Sequence, residues 1–123
     1  MDTLTVRIPA APRYLHVVRL VAAGLASRLR FTIDDIEDLK IAVDELAAYL
    51  TGSQGRDGTL EITFSVDDDR IEIEGTGTFD GEVEIRTELT QFSRQILTTV
   101  ADEAWLQHDN GVPKFGLKKT RQS

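Results

Sequence analysis

Residues 31–52 read FTIDDIEDLKIAVDELAAYLTG, and the fold is decided here because the stretch carries a complete helix with its start, its buried face and its stop. Thr32 can accept from the backbone N–H of Asp35, Asp35 can reach back, and Phe31 can pack on Ile36 as a hydrophobic staple. Asp34, Asp35, Glu37 and Asp38 place negative charge where the helix dipole is positive. Ile36, Leu39, Val43, Leu46 and Leu50 form one apolar stripe at about 100° per residue, and Gly52 ends the run. Glu45 falls on the other side. Ile41, Ala48 and Tyr49 surround it instead of the usual Lys and Gln, so that side is expected to be covered by a lid, a ligand or a protein. The plain alternative is a solvated Glu on a face that tolerates Tyr and Ile.

On the N-terminal side, Thr3 to Ile8 alternates as a half-buried strand with Leu4, Val6 and Ile8 inward. Pro9 ends it, and Pro12 suits the first turn of a helix running from Arg13 to Arg30. That helix has a core stripe of Leu15, Val18, Ala22, Leu25 and Leu29 beside a second stripe of Tyr14, Val17, Val21 and Gly24. Arg13, Arg19, Arg28 and Arg30 give it a basic rim. On the C-terminal side, the loop at 53–58 leads into a strand from Thr59 to Val66, a turn at Asp67-Asp68-Asp69, and a second strand from Arg70 to Glu74 with Ile71 and Ile73 inward. The three aspartates lack calcium-loop spacing and read as a solvated turn. Val83 and Ile85 alternate like a short strand. Leu89 to Asp102 reads as a third helix with Phe92, Ile96, Leu97 and Val100 inward. Glu103–Asp109 and Val112–Lys119 make a closing hairpin about Asn110-Gly111, with Trp105, Phe115 and Leu117 in the sheet core.

The expected architecture is α+β: a two-layer sandwich of three helices on one face of a mixed, mostly antiparallel sheet, as a single domain over 1–120 with a frayed tail at 121–123. The outer sheet face carries Glu61, Thr63, Glu72, Glu74 and Lys118. With 123 residues and 41% hydrophobic content the chain holds one core. It has no cysteine, which excludes disulfides and thiolate zinc sites. His16 and His108 lack ligand spacing, so no metal site is expected. A net charge of −7 argues against nucleic acid and for a basic protein partner. No signal peptide or long apolar run is present, which fits a cytoplasmic chain with no membrane partner.

DLKIAVDELAAYL, at 38–50, resembles the N box of the RsbW/SpoIIAB-type anti-sigma factors, small members of the GHKL (histidine-kinase-like) ATPase superfamily. Its order of strands and helices is similar over the whole chain. The tail FSRQILTTVADEAWLQHDNGVPKFGLKKT resembles the actinobacterial anti-sigma-F (UsfX-like) subgroup. The resemblance implies a general-base role for Glu45 and places Tyr49 where a Mg²⁺-holding Asn stands in active members. A phenol is a poor Mg²⁺ ligand. It also puts Gly75 at the position of the adenine-recognising Asp and Gly77 at the first glycine of the same box, with Phe79 at the second. The glycine-rich phosphate lid has no counterpart between Thr78 and Thr90. The ATP site is therefore expected to be degenerate.

What the resemblance implies is an anti-sigma factor that sequesters a SigF/SigB-type sigma factor and is countered by a STAS-domain anti-anti-sigma factor. Glu45 is then a vestigial base, no cofactor is needed, and a homodimer is the expected assembly. Arg13, Tyr14, Val17, Arg19 and Val21 are the candidate partner-binding residues. The alternative is an active ATP- and Mg²⁺-dependent serine kinase of the same family. A diverged partner-binding module in another switching system is a third reading.

Overall fold

The computed structural model describes residues 1–81 and 83–122. Among the described residues five strands, β1 (Asp2–Pro9), β2 (Gly58–Val66), β3 (Arg70–Phe79), β4 (Glu103–Asp109) and β5 (Val112–Thr120), form one sheet in the order β1-β2-β3-β5-β4. Every pairing is antiparallel, so the sheet is not mixed. Three α-helices of the described residues, α1 (Leu15–Arg28), α2 (Ile33–Thr51) and α3 (Gln91–Val100), cover one face. The chain is thus the α+β sandwich that the sequence calls for.

α2 is the middle helix, packed between α1 and α3 and against β5. Its cap is the expected one, with the Asp35 N–H donating to Thr32 Oγ1 at 3.1 Å. Leu39, Val43, Leu46 and Leu50 are fully buried, and Ala42 and Ala47 join them because the helix has neighbours on both flanks. Each large apolar side chain so buried contributes roughly 1.5–3 kcal/mol. They meet Ile62, Phe64, Ile71, Ile73, Phe115 and Leu117 of the sheet.

Several local expectations are corrected. The helix foreseen from Arg13 to Arg30 begins as a 3-10 turn, Pro12–Tyr14, and its α-helical part stops at Arg28. Arg30 takes a left-handed φ of 63° as the chain turns toward α2. Leu4 is exposed, since β1 is the sheet edge. Val83 to Ile85 is not a strand: β5 occupies the edge of β3 that it would need, and only Ile85 is buried. α3 is shorter than Leu89 to Asp102, and Phe92 points outward rather than inward. The inward positions are Ser93, Leu97 and Val100, spaced at i, i+4 and i+7, which leaves Phe92 turned aside. Trp105 lies on the outer sheet face across Gly116, where a β-carbon would stand 2.0 Å from its ring. The turn Asn110-Gly111 has positive φ at both residues, 54° and 80°, as a tight hairpin of the primed type requires.

Asp35 does not reach back to complete a capping box. Its carboxylate accepts from the Gln122 N–H at 3.3 Å and lies 3.7 Å from Lys119 Nζ. Lys119 is buried and donates to the Val100 carbonyl at 3.0 Å. Arg121 donates to the Leu29 carbonyl at 2.9 Å. The tail expected to fray is therefore tied to the helices at residues 121 and 122, while Ser123 lies outside the described residues.

Candidate functional site

Glu45 and Tyr49 stand one helical turn apart on the flank of α2 that faces α3. Facing them is the first turn of α3, capped by Thr90, whose Oγ1 accepts from the Ser93 N–H at 3.0 Å. This cap turns the Ser93 side chain inward, where it is 3% exposed.

Ser93 Oγ donates to Glu45 Oε2 at 2.7 Å. With its single proton so used, Ser93 accepts from the Tyr49 hydroxyl at 2.7 Å and from Thr90 Oγ1 at 3.1 Å. The Tyr49 oxygen in turn accepts from the Thr90 N–H at 3.1 Å. Burial raises the pKa of the Tyr49 phenol, and the charge of Glu45 works the same way. Once the phenol ionises, Ser93 can turn its proton to the phenolate and the Thr90 N–H already points at it, and these hydrogen bonds outweigh both and hold the pKa below its ordinary value of 10.0. The four side chains form a satisfied network that ties α3 to α2. What covers Glu45 is the protein's own helix.

Gly75 and Gly77 sit in β3 on the face turned to the helices, and aromatic rings fill the space beside each. A β-carbon on Gly75 would lie 2.2 Å from the Phe115 ring, and one on Gly77 would lie 2.5 Å from the Phe79 ring. No carboxylate fits at Gly75 while Phe115 keeps its place. Among the described residues no cluster of three His, Asp or Glu is arranged to hold a metal ion. None of the described helices is long and apolar enough to cross a membrane.

The candidate partner residues divide between two flanks. Arg13 lies 4.9 Å over the Tyr14 ring, and Val17 and Val21 continue that side of α1, with Leu20 exposed nearby. Arg19 is about half a turn away from Val17 and Val21. It pairs at 2.8 Å with Asp44 of α2, so it braces two helices of its own chain. Leu20, 58% exposed, was not among the expected contact residues because its place beside the stripe gave no signal. Ser93 and Thr90 were missed as well. The T-x-x-S spacing just before an apolar helix was their available signature.

The chain is 31% identical over 129 aligned positions to the serine-protein kinase RsbW of Halalkalibacterium halodurans, covering 90% of this chain and 79% of that protein. It belongs to the RsbW serine-protein kinase family. The Bacillus pumilus RsbW is 39% identical over 88 positions, 65% of this chain and 54% of the relative. The Bacillus subtilis RsbW is 40% identical over 75 positions, 58% and 47% respectively. In these shorter matches the chain spans about half the length of the RsbW relatives. No family model matches the chain. The crystal structure of the RsbU and RsbW domains of Rv1364c from Mycobacterium tuberculosis superposes with a TM-score of 0.67, covering 98% of this chain and 33% of that one at 14% identity, a likeness of fold.

Proposed function

We propose that this RsbW-family chain works by protein capture, as an anti-sigma factor that sequesters a SigF/SigB-type sigma factor and yields it to a STAS-domain anti-anti-sigma factor, without turning over ATP. The observation that carries the reading is the 2.7 Å hydrogen bond from Ser93 to Glu45. The carboxylate that would serve as general base is engaged by a serine of its own chain. Phosphoryl transfer depends on positioning and on metal-assisted charge stabilisation. Tyr49 in place of an Asn, and rings packed beside Gly75 and Gly77, leave little for either.

The acidic net charge suits a basic sigma partner, which would place the chain in the cytoplasm. Tyr14, Val17, Leu20 and Val21 on the open flank of α1 are the surface we assign to the sigma factor or to a homodimer, with Arg13 at its edge. The tail at 92–120 supports membership of the actinobacterial anti-sigma-F subgroup. The name of the relatives favours a second reading, an active serine kinase, and calorimetry with Mg-ATP separates the two. We expect no binding heat, together with capture of a sigma factor that Val17→Asp weakens. Micromolar ATP binding, or phosphorylation of a STAS protein that vanishes in Glu45→Ala, would establish the kinase instead.

A further inference from the structure

We propose that the open groove between α2 and α3 is a docking site for a basic amphipathic helix of a partner protein. The groove encloses about 420 Å³ and is lined by Ile41, Phe92, Gln95, Ile96, Thr99 and Val100. Phe92 is 70% exposed and Ile41 44%, although both sit on well-anchored helices. The cap at Thr90 and the hold on Ser93 fix the first turn of α3, so the outward aim of Phe92 is built in.

The charge around this apolar floor selects the occupant. One turn to either side of Ile41 on α2 stand Glu37, Asp38, Asp44 and Glu45. From Asp34 to Glu45 the helix carries six carboxylates, Asp34, Asp35, Glu37, Asp38, Asp44 and Glu45, against Lys40, which is itself paired with Glu37 at 3.0 Å. Adding Arg19, which pairs with Asp44, and Lys119, which lies 3.7 Å from Asp35 and 3.9 Å from Asp38, still leaves carboxylates outnumbering cations six to three. The α3 wall is neutral, with Gln95 and Thr99. Arg94 lines a separate hollow with Asp102 and Glu103 on the far side of α3. An apolar floor with an acidic rim favours Leu, Ile or Phe anchors flanked by Lys or Arg. Both walls are helices and offer no free strand edge, so the fitting element is a helix laid in the groove, with anchors at i, i+3, i+4 and i+7. The site is separate from the α1 flank, and the inference does not depend on what that flank binds.

The test uses the full chain and a designed Leu/Lys helical peptide of about 18 residues, long enough to span the groove, with a Leu/Glu twin of the same apolar face. Phe92→Asp and Ile41→Asp each add negative charge, so an association driven by charge alone would tighten or hold, whereas seating in the groove would weaken by roughly tenfold or more. We expect that weakening in both variants, amide shift changes in the wild-type chain centred on Ile41, Phe92 and Ile96, and no binding of the Leu/Glu twin. Equal or tighter binding to the Asp variants, or shift changes centred on Val17 and Leu20, would overturn the proposal. A wild-type dimer that Phe92→Asp turns into monomer would also overturn it, by making a second copy the occupant.

Discussion

A β-carbon on Gly75 would stand 2.2 Å from Cε2 of Phe115, its cross-strand partner, so the ring occupies the space that any side chain at position 75 would need. Phe115 is itself buried against Ile73 and Leu117 and cannot step aside at little cost. Putting a carboxylate back at this position therefore should not rebuild a nucleotide site. Gly75→Asp is expected to lower stability by about 1–3 kcal/mol through overpacking, with no gain in Mg-ATP binding. Urea unfolding and calorimetry check both parts. A stable Gly75→Asp chain that binds ATP would show the ring to be movable.

Ser93→Ala tests the network from its centre. Glu45 loses its donor, while Tyr49 and Thr90 lose their acceptor. A hydrogen bond to a charged group contributes roughly 1.5–3 kcal/mol, and a loss in that range is expected. Thr90→Ala removes the cap and should cost about 1 kcal/mol. Because both act on one network, the double variant should lose less than the sum. Hydrogen exchange at the Ser93 and Arg94 amides reports the loosened turn, and unchanged protection in Ser93→Ala would mean that packing of Leu97 and Val100 alone holds α3.

The sequence revealed α2 because Thr32, the stripe from Leu39 to Leu50 and Gly52 all point to the same element, and local signals that agree are the ones that survive tertiary packing. The closing hairpin was equally legible, since Asn110-Gly111 admits few alternatives. Alternation says which residues share a face and not which face is inside, so it does not put Trp105 on the outer face, where Gly116 opposite makes room for its ring. Hydrophobicity alone points Phe92 inward, whereas the neighbouring serine holds the buried position for a polar reason. The site was half legible. Glu45 and Tyr49 lie on one helix and show their spacing, but Ser93 arrives from 48 positions along the chain, beyond the reach of periodicity.

Lys119 ties the C-terminus of α3 to the N-terminus of α2. It is 4% exposed, donates to the Val100 carbonyl and lies 3.7 Å from Asp35, which is also buried. Lys119→Ala leaves that carboxylate without its cation and the carbonyl without its donor. A loss of about 3–5 kcal/mol is expected, as for other buried pairs broken on one side. Removing both charges in Asp35→Asn with Lys119→Met should cost less than Lys119→Ala alone. Denaturant unfolding of the three chains gives the comparison, and a double variant worse than the single would mean that the pair is a net source of stability.

The Tyr49 phenol offers a titration that reads the network directly. Its folded pKa lies below the ordinary 10.0, so across the interval between the two values the unfolded chain binds more protons and stability rises with pH. That contribution is complete above 10.0 and is lost as pH falls through the lowered value. Absorbance of the phenolate, followed in Tyr14→Phe so that one tyrosine remains, should show a midpoint below that of the same chain in denaturant. Ser93→Ala in this background removes a hydrogen bond that lowers the pKa and leaves the burial and the Glu45 charge that raise it. The midpoint should therefore move up. Glu45→Gln should move it the other way, both because a like charge is gone and because Ser93 no longer divides its one proton between two anions. Opposite shifts from the two substitutions would place Tyr49, Ser93 and Glu45 in one coupled unit, whereas a midpoint indifferent to both would mean that Tyr49 stands clear of Glu45, with the flank of α2 open to a ligand.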